Sequence, residues 1–294
     1  MNKTLLSYLL IVGITGIAGA SGGIILKRTM GPIEEVYPPG FSPDEYRDDV
    51  QGLYTQYLEK GITREMTNSD IVNIGLEKYK RCENSYSIGI GVANAMGVGQ
   101  TVRNAQIKVG DEYFEESISF SSMVSLADRA IQHGVDGNID YMHTDDCSVE
   151  TGNYPSSYTP MSKGDYKARF GKSLDEMFIY IISNKTVVSS KKEETSNEIK
   201  ITLDLDNSIS TYYYKIQMQN ISGLSSLPPF TQVHHVYTFT KDLYLKSLHL
   251  EEKYTATKAS IPVPAPVDAD ITYYYHANEE TNIPKYNEPI VYKV

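Results

Sequence analysis

His143-Thr144-Asp145-Asp146-Cys147 brings an imidazole, two carboxylates and a thiol into five residues, the densest reactive run in the chain. A thiol beside an imidazole could serve as a hydrolase nucleophile. Catalytic cysteine and histidine usually meet through the fold, however, and no cysteine-protease pattern surrounds Cys147. As a metal site, His143 with Asp145 or Asp146 falls short of the four well-spaced ligands of a closed zinc centre. Asp136-Gly137-Asn138-Ile139-Asp140 imitates the start of a calcium loop. Tyr141 stands where the sixth position needs glycine and Cys147 where the twelfth needs glutamate, so a hairpin turn explains Asp136-Gly137 more simply. His234 and His235 adjoin in an alternating stretch; on a strand their rings face opposite sides and cannot share one metal. Gly89-Ile90-Gly91 and Gly97-Val98-Gly99 match no phosphate loop, and neither Gly-x-Ser-x-Gly nor His-Glu-x-x-His occurs. Enzyme chemistry is therefore the minority reading, and no catalytic, metal or cofactor residue is assigned.

Cys82 and Cys147 are the two cysteines. In an oxidising compartment they could form a disulfide contributing about 4 kcal/mol in the loop-entropy account. The alternative is two unpaired small hydrophobes.

The elements that must position these residues follow a long apolar run. Leu5 to Leu26, LLSYLLIVGITGIAGASGGIIL, carries no charge. At roughly 1.5 Å per residue it reaches about 33 Å, enough to cross a hydrocarbon core of about 30 Å. Ala18-Gly19-Ala20 offers a signal-peptide cleavage site, but the apolar run continues past it to Lys27-Arg28, which fits a retained anchor or uncleaved signal over residues 1–28. Gly19 and Gly23 form a G-x-x-x-G pair that could bring two such helices together as a dimer; glycine is also common in any membrane helix. Residues 29–41, rich in proline and glycine, read as a stem.

Beyond position 30, 24 basic residues face 37 acidic ones. A balance of −13 disfavours nucleic acid and anionic lipid as partners. With 24 tyrosines, 7 phenylalanines and no tryptophan, the aromatic supply suits half-buried sheet surface.

The rest, 42–294, reads as an α+β domain with possible halves 42–150 and 164–294. Ser42-Pro43-Asp44-Glu45 looks like a capping box opening a helix with Val50, Leu53, Tyr54, Tyr57 and Leu58 on one face and Gly61 behind it. A second helix is expected over about Ser69–Cys82. From Ser85 the period becomes two, with strands at Ser85–Val92, Thr101–Val109 and Tyr113–Phe120 and a hairpin turn at Gly110-Asp111. Arg129–Gln132 and Asn138–His143 form a further hairpin, and Asp145–Lys163 is a loop. Ser173-Leu174-Asp175-Glu176 then caps a helix to about Ser183, followed by strands at Thr186–Ser190 and Glu198–Leu205 and a helix within Asn207–Ser222. Strands at Thr231–Thr240 and Leu243–Thr255 follow. The proline-rich Val263–Val267 leads to a last strand, Ile271–His276. Each half thus reads as helix followed by antiparallel meander. Either two helix-on-sheet units lie side by side, or both meanders join into one strongly curved sheet; the second buries two otherwise open edges.

Phe178-Ile179-Tyr180-Ile181-Ile182-Ser183-Asn184-Lys185-Thr186-Val187, Ile201-Thr202-Leu203-Asp204-Leu205-Asp206, Tyr213-Tyr214-Lys215, Pro228-Pro229-Phe230 and Glu252-Lys253-Tyr254 carry a diffuse resemblance over roughly 80 residues. In them the second half resembles a type of uncharacterised, single-span, extracytoplasmic protein of Gram-positive gut bacteria. The overall pattern is also similar to the half-barrel of lipoprotein-carrier domains. The resemblance implies a bacterial cell-membrane protein with its domain outside, not an activity. Together these readings lead to a non-catalytic extracytoplasmic module. It would bind an apolar, lipid-like envelope ligand in the curved sheet, or a protein partner on its exposed face.

Overall fold

The computed structural model describes residues 35–95, 98–121, 126–135, 138–147, 159–170, 173, 178–258 and 261–275. The run Leu5–Leu26 with Gly19 and Gly23, the Asp136-Gly137 turn and most of the Ser173–Glu176 box lie outside them. Among the described residues no helix is long and apolar enough to cross a membrane.

Among the described residues eleven strands form one sheet, all of whose pairings are antiparallel, and a few helices pack on it, an α+β arrangement. The strands are β1 (Asn84–Ala95), β2 (Val98–Val109), β3 (Glu112–Ser121), β4 (Leu126–Val135), β5 (Asn138–Cys147) and β6 (Thr159–Ser162), then β7 (Val187–Glu194), β8 (Glu198–Leu205), β9 (Phe230–Thr240), β10 (Leu245–Lys258) and β11 (Ile261–Tyr275). Their order is β6-β5-β4-β3-β2-β1-β11-β10-β9-β8-β7. Two meanders therefore meet along one seam, β1 against β11, running from Ser85 opposite Tyr275 to Ala93 opposite Val267. The free edge at β7 carries Lys191, Lys192, Glu193 and Glu194, charges that discourage further pairing.

The helices are α1 (Val50–Lys60), α2 (Asn68–Arg81), α3 (Lys163–Phe170) and α4 (Tyr212–Ser222). Helix α3 packs on β5 and β6 and also against α4, while Tyr214 of α4 lies with its ring 5.6 Å from that of Phe230 on β9. On a flat sheet β5 and β9 would be about 34 Å apart. Two adjacent helix axes span only about 10 Å, so the sheet must curl around them.

Helix α2 packs into the curl against β7, β8 and β10. Thr67 and Asp70 form a reciprocal capping box at its start, and almost every residue from Ser69 to Glu77 is buried, as in a helix covered on all sides. Ile71, Ile74 and Tyr79 meet Ile199, Ile201, Leu203, Tyr237, Phe239, Leu248 and Ile271 in one core. Tyr79 stands edge-on to Tyr273 and Tyr275, with ring centroids 5.0 and 5.3 Å away. Small residues of β1 make room below: Ser85 and Ser87 are fully buried, and a Cβ at Gly91 would lie 2.5 Å from that of Ala269.

Several expectations are corrected. Ser42 caps nothing: Pro43–Tyr46 is a single 3-10 turn, and α1 starts later, where the Asp49 carboxylate accepts from the Gly52 amide. Leu58 is exposed rather than part of a buried face. No helix covers residues 178–183. That segment runs irregularly because its groups bond elsewhere: the Ile181 amide donates to Ser210 O, and the Asn73 side chain to Ile182 O. Helix α3, which the pattern did not set apart, starts at the last residue of the expected loop.

The final strand begins at Ile261 and contains Pro262, Pro264 and Pro266. Alternate residues aim their amides at the same neighbour. Pairing with β10 continues past all three prolines, so the missing donors face the side that β1 has already left.

The described part of the stem, residues 35–41, is no free linker. Tyr37 packs on Phe41 and Tyr212 and donates to Ser208 O. Glu35 also bonds the Ser208 hydroxyl and meets Lys215 of α4 at 2.5 Å.

Candidate functional site

The reactive run around His143 lies along β5. Four residues of extended strand separate the backbones of His143 and Cys147 by about 13 Å, far beyond the reach of a nucleophile and its base. The hydrolase reading thereby loses its geometry. Asn138 to Tyr141 are strand too, not a calcium loop. Among the described residues no cluster of His, Cys, Asp and Glu is arranged to hold a metal ion.

Cys82 is a free, half-buried thiol 3.4 Å from Lys78 O, and burial raises its pKa. The ladder sets Cys147 opposite Ala127, then Phe120, Thr101 and Val92 in turn. Val92 is eight positions along β1 from Asn84, about 26 Å of strand, and Cys82 precedes that strand at the end of α2. The two cysteines lie at opposite ends of the sheet, outside the about 7 Å Cα reach of a disulfide.

His234 and His235 do face opposite sides. His234 meets Asp204 at 2.7 Å on the outer face; His235 is fully buried on the inner face. There it joins a polar group that sequence reasoning missed. Its Nδ1 lies 3.0 Å from the Tyr237 hydroxyl and its Nε2 3.5 Å from Glu252 Oε1, which also accepts from the Tyr180 hydroxyl at 2.5 Å. The Tyr180 ring stands edge-on to the imidazole, centroids 4.6 Å apart. Burial, then the Glu252 charge, pushes Tyr180 and Tyr237 far above the usual tyrosine pKa, so both remain hydroxyl donors. Glu252 Oε2 is buried with no hydrogen-bond partner. An unmade hydrogen bond of that kind costs about 1–3 kcal/mol, more for a charged group.

Glu252 also borders the cleft at the end of the seam. After Ala93 and Val267 the pairing of β1 with β11 stops. The β1–β2 ladder runs on to Ala95 and Val98, and the β10–β11 ladder to Lys258 and Ile261. The sheet forks, and a cleft of about 520 Å³ opens between the two tips. Val92, Ala93, Gln100 and Thr101 form one wall; Glu251, Glu252, Lys253, Pro266, Val267 and Asp268 form the other. Val92 is 60 % exposed there. The prolines keep this fork open, because β11 offers no amides to bring β1 back. A smaller cavity of about 340 Å³ lies between α1, α2 and residues 178–182, with Asp48, Glu77 and Lys80 at its edge and Tyr180 in its wall.

No protein-family model matches the chain, and no curated protein matches it, so the resemblance to Gram-positive gut proteins gains no relative. Some solved structures match at low similarity. A DUF1329 family protein from Desulfovibrio piger is 9% identical over 79% of this chain and 95% of its own, with a TM-score of 0.25. A chain from the de novo design of transmembrane β-barrels is 7% identical over 65% and 95%, with a TM-score of 0.21. An N-terminal dehydratase from the difficidin assembly line is 8% identical over 67% and 80%, at 0.15. Scores this low carry no argument, and the site rests on its own geometry.

Proposed function

We propose that the chain is a membrane-tethered, extracytoplasmic binding module of a bacterial cell that holds a small ligand in the cleft at the fork of its sheet. One observation carries this reading. Helix α2 packs into the hollow of the curl, the fork opens a cavity of about 520 Å³ at the end of the seam, and Glu252 of a buried polar group borders it. A lipid-sized apolar ligand inside the sheet is disfavoured, because it would have to displace α2. Leu5–Leu26 would serve as the tether. From Arg28 to Glu35 seven peptide steps reach at most about 25 Å, so the stem packed on α4 would hold that end of the domain close to the bilayer.

The test is native mass spectrometry of the full chain in detergent micelles, with extraction of any co-purifying small molecule. A bound mass is expected with the natural chain and is expected to be lost in Val92→Trp, which fills the cleft from its exposed wall. Equal recovery from both proteins, or none from either after incubation with envelope extract, would overturn the cleft and leave a scaffold using its outer face. Orientation has its own readout: protease added to intact cells is expected to release the domain, and full protection would place it inside.

A further inference from the structure

The cavity of about 340 Å³ between α1, α2 and residues 178–182 shares no residue with the cleft at the fork. Its floor is one stripe of α2. Asn73, Glu77 and Lys80 follow one another there at four and three positions, the spacing of neighbours on a helix face. Asn73 and Glu77 are only 7 % and 8 % exposed, and each is held at one end and free at the other. Asn73 Nδ2 donates to Ile182 O at 2.8 Å, and Glu77 Oε1 accepts from Gln51 Nε2 at 2.8 Å and Arg81 Nε at 2.6 Å. Asn73 Oδ1 and Glu77 Oε2 accept nothing among the described residues, and unlike Glu252 Oε2 they are not sealed from solvent. Lys80 is half-buried, and its ammonium has no partner among the described residues. Of the remaining charges, Arg47 is tied to Asp44 at 3.0 Å and Asp49 to the Gly52 amide, while Asp48 leaves a carboxylate on the α1 side. Leu76, Phe178, Ile181 and Ile182 make the rest of the wall apolar.

We infer that this cavity takes a zwitterion, an α-amino acid with an apolar side chain. Its ammonium donates to Asn73 Oδ1 and Glu77 Oε2, its carboxylate meets Lys80, and its side chain packs on the apolar wall. Few polar groups, each placed to orient the ligand within apolar surroundings, are the usual make-up of a small-molecule site. Opposite charges one helical turn apart also reject the simpler ions. A bare amine would meet Lys80 with like charge, and a bare carboxylate would meet Glu77 and Asp48.

The experiment is calorimetric titration of the full chain in neutral detergent with leucine and phenylalanine as probes. Isoamylamine, which is leucine without its carboxylate, isocaproate, which is leucine without its amine, and glycine, which lacks the side chain, are the controls. At least one of the two probes is expected to bind, and each control about tenfold more weakly or not at all. Glu77→Gln keeps the size of the side chain but removes the charge, and should weaken the probe about tenfold, one charge-assisted hydrogen bond's worth. If that variant does not fold, Lys80→Gln, on a side chain that holds nothing in place, should weaken it about threefold or more. Val50→Trp, at the half-buried wall of the cavity, should abolish binding, whereas Val92→Trp, at the fork, should leave it unchanged. Isoamylamine or isocaproate binding as tightly as the probes, unchanged affinity in the folded variants, loss of binding in Val92→Trp, or no binding of either probe would each overturn the zwitterion.

Discussion

Glu35→Gln is expected to cost the fold about 3–5 kcal/mol at neutral pH, the range found when a buried charge loses its partner. Lys215 is fully buried and its ammonium meets Glu35 at 2.5 Å, with Asn207 O, Ser208 O and the Tyr37 hydroxyl at 3.0 to 3.2 Å. The neutral acceptors stay in the variant, but the charge that offsets desolvation goes. Burial already holds the Lys215 pKa below its ordinary 10.5, with Glu35 opposing it. Removing Glu35 lowers it further. The native state then carries fewer protons than the unfolded one over a wider interval. Stability must therefore rise with pH from the depressed native pKa up to 10.5, and more steeply in the variant than in the natural chain. Urea unfolding of the full chain at pH 7 and pH 9.5 reads both effects. Glu35→Gln combined with Lys215→Met leaves no buried charge and should recover most of the loss. A loss under about 1 kcal/mol with parallel pH slopes would show that the stem is not fastened by this pair.

The stem shows where sequence could not lead. Glu35 and Lys215 are 180 positions apart, and nothing local in TMGPIEEVYPPGF distinguishes a fastened strap from a linker. What was legible was local and periodic. The alternation from Ser85, the Gly110 turn, the helix ending at Gly223 and the strands from Glu198 to Thr255 all appear close to where the pattern sets them. The joining of both meanders into one sheet also followed, from the cost of leaving edges open.

The face of β1 did not follow. Its apolar set, Tyr86, Ile88, Ile90 and Val92, alternates as expected, yet Ile90 and Val92 are exposed while Ser85, Ser87 and Gly91 point into the core. Period two fixes that faces differ, not which one is crowded. Here the aromatic rings of Tyr79, Tyr273 and Tyr275 occupy the inner side and only small residues fit beneath them. The Glu252 group was invisible for a related reason. His235 and Glu252 lie on neighbouring strands, and Tyr180 reaches them from a segment that the pattern assigned to a helix.

Gly75→Ala is expected to destabilise the chain by about 1–3 kcal/mol, although alanine is the better helix former by about 1 kcal/mol. Gly75 is buried in α2, and a Cβ there would overlap Phe239 Cε1 and come within 2.8 Å of Cδ1. The ring cannot easily give way. Phe239 is fully buried and lies parallel to Tyr237, planes 10° apart and centroids 6.1 Å away. Its own truncation, Phe239→Ala, should cost about 3–5 kcal/mol as a core cavity. The contact is tested by a cycle. Phe239→Leu alone loses part of that packing, but in the Gly75→Ala background it also removes the overlap. The double variant should then be more stable than the sum of the singles by about 0.5–3 kcal/mol. Strict additivity, or a Gly75→Ala variant that unfolds at higher urea than the natural chain, would mean that α2 does not sit hard on β9. A helix seated this deeply fills the hollow beside β9, which is the premise on which the fork is proposed as the ligand site. A loosely seated helix would reopen the sheet interior as a rival site, so the cycle tests the premise of the cleft as well as the packing.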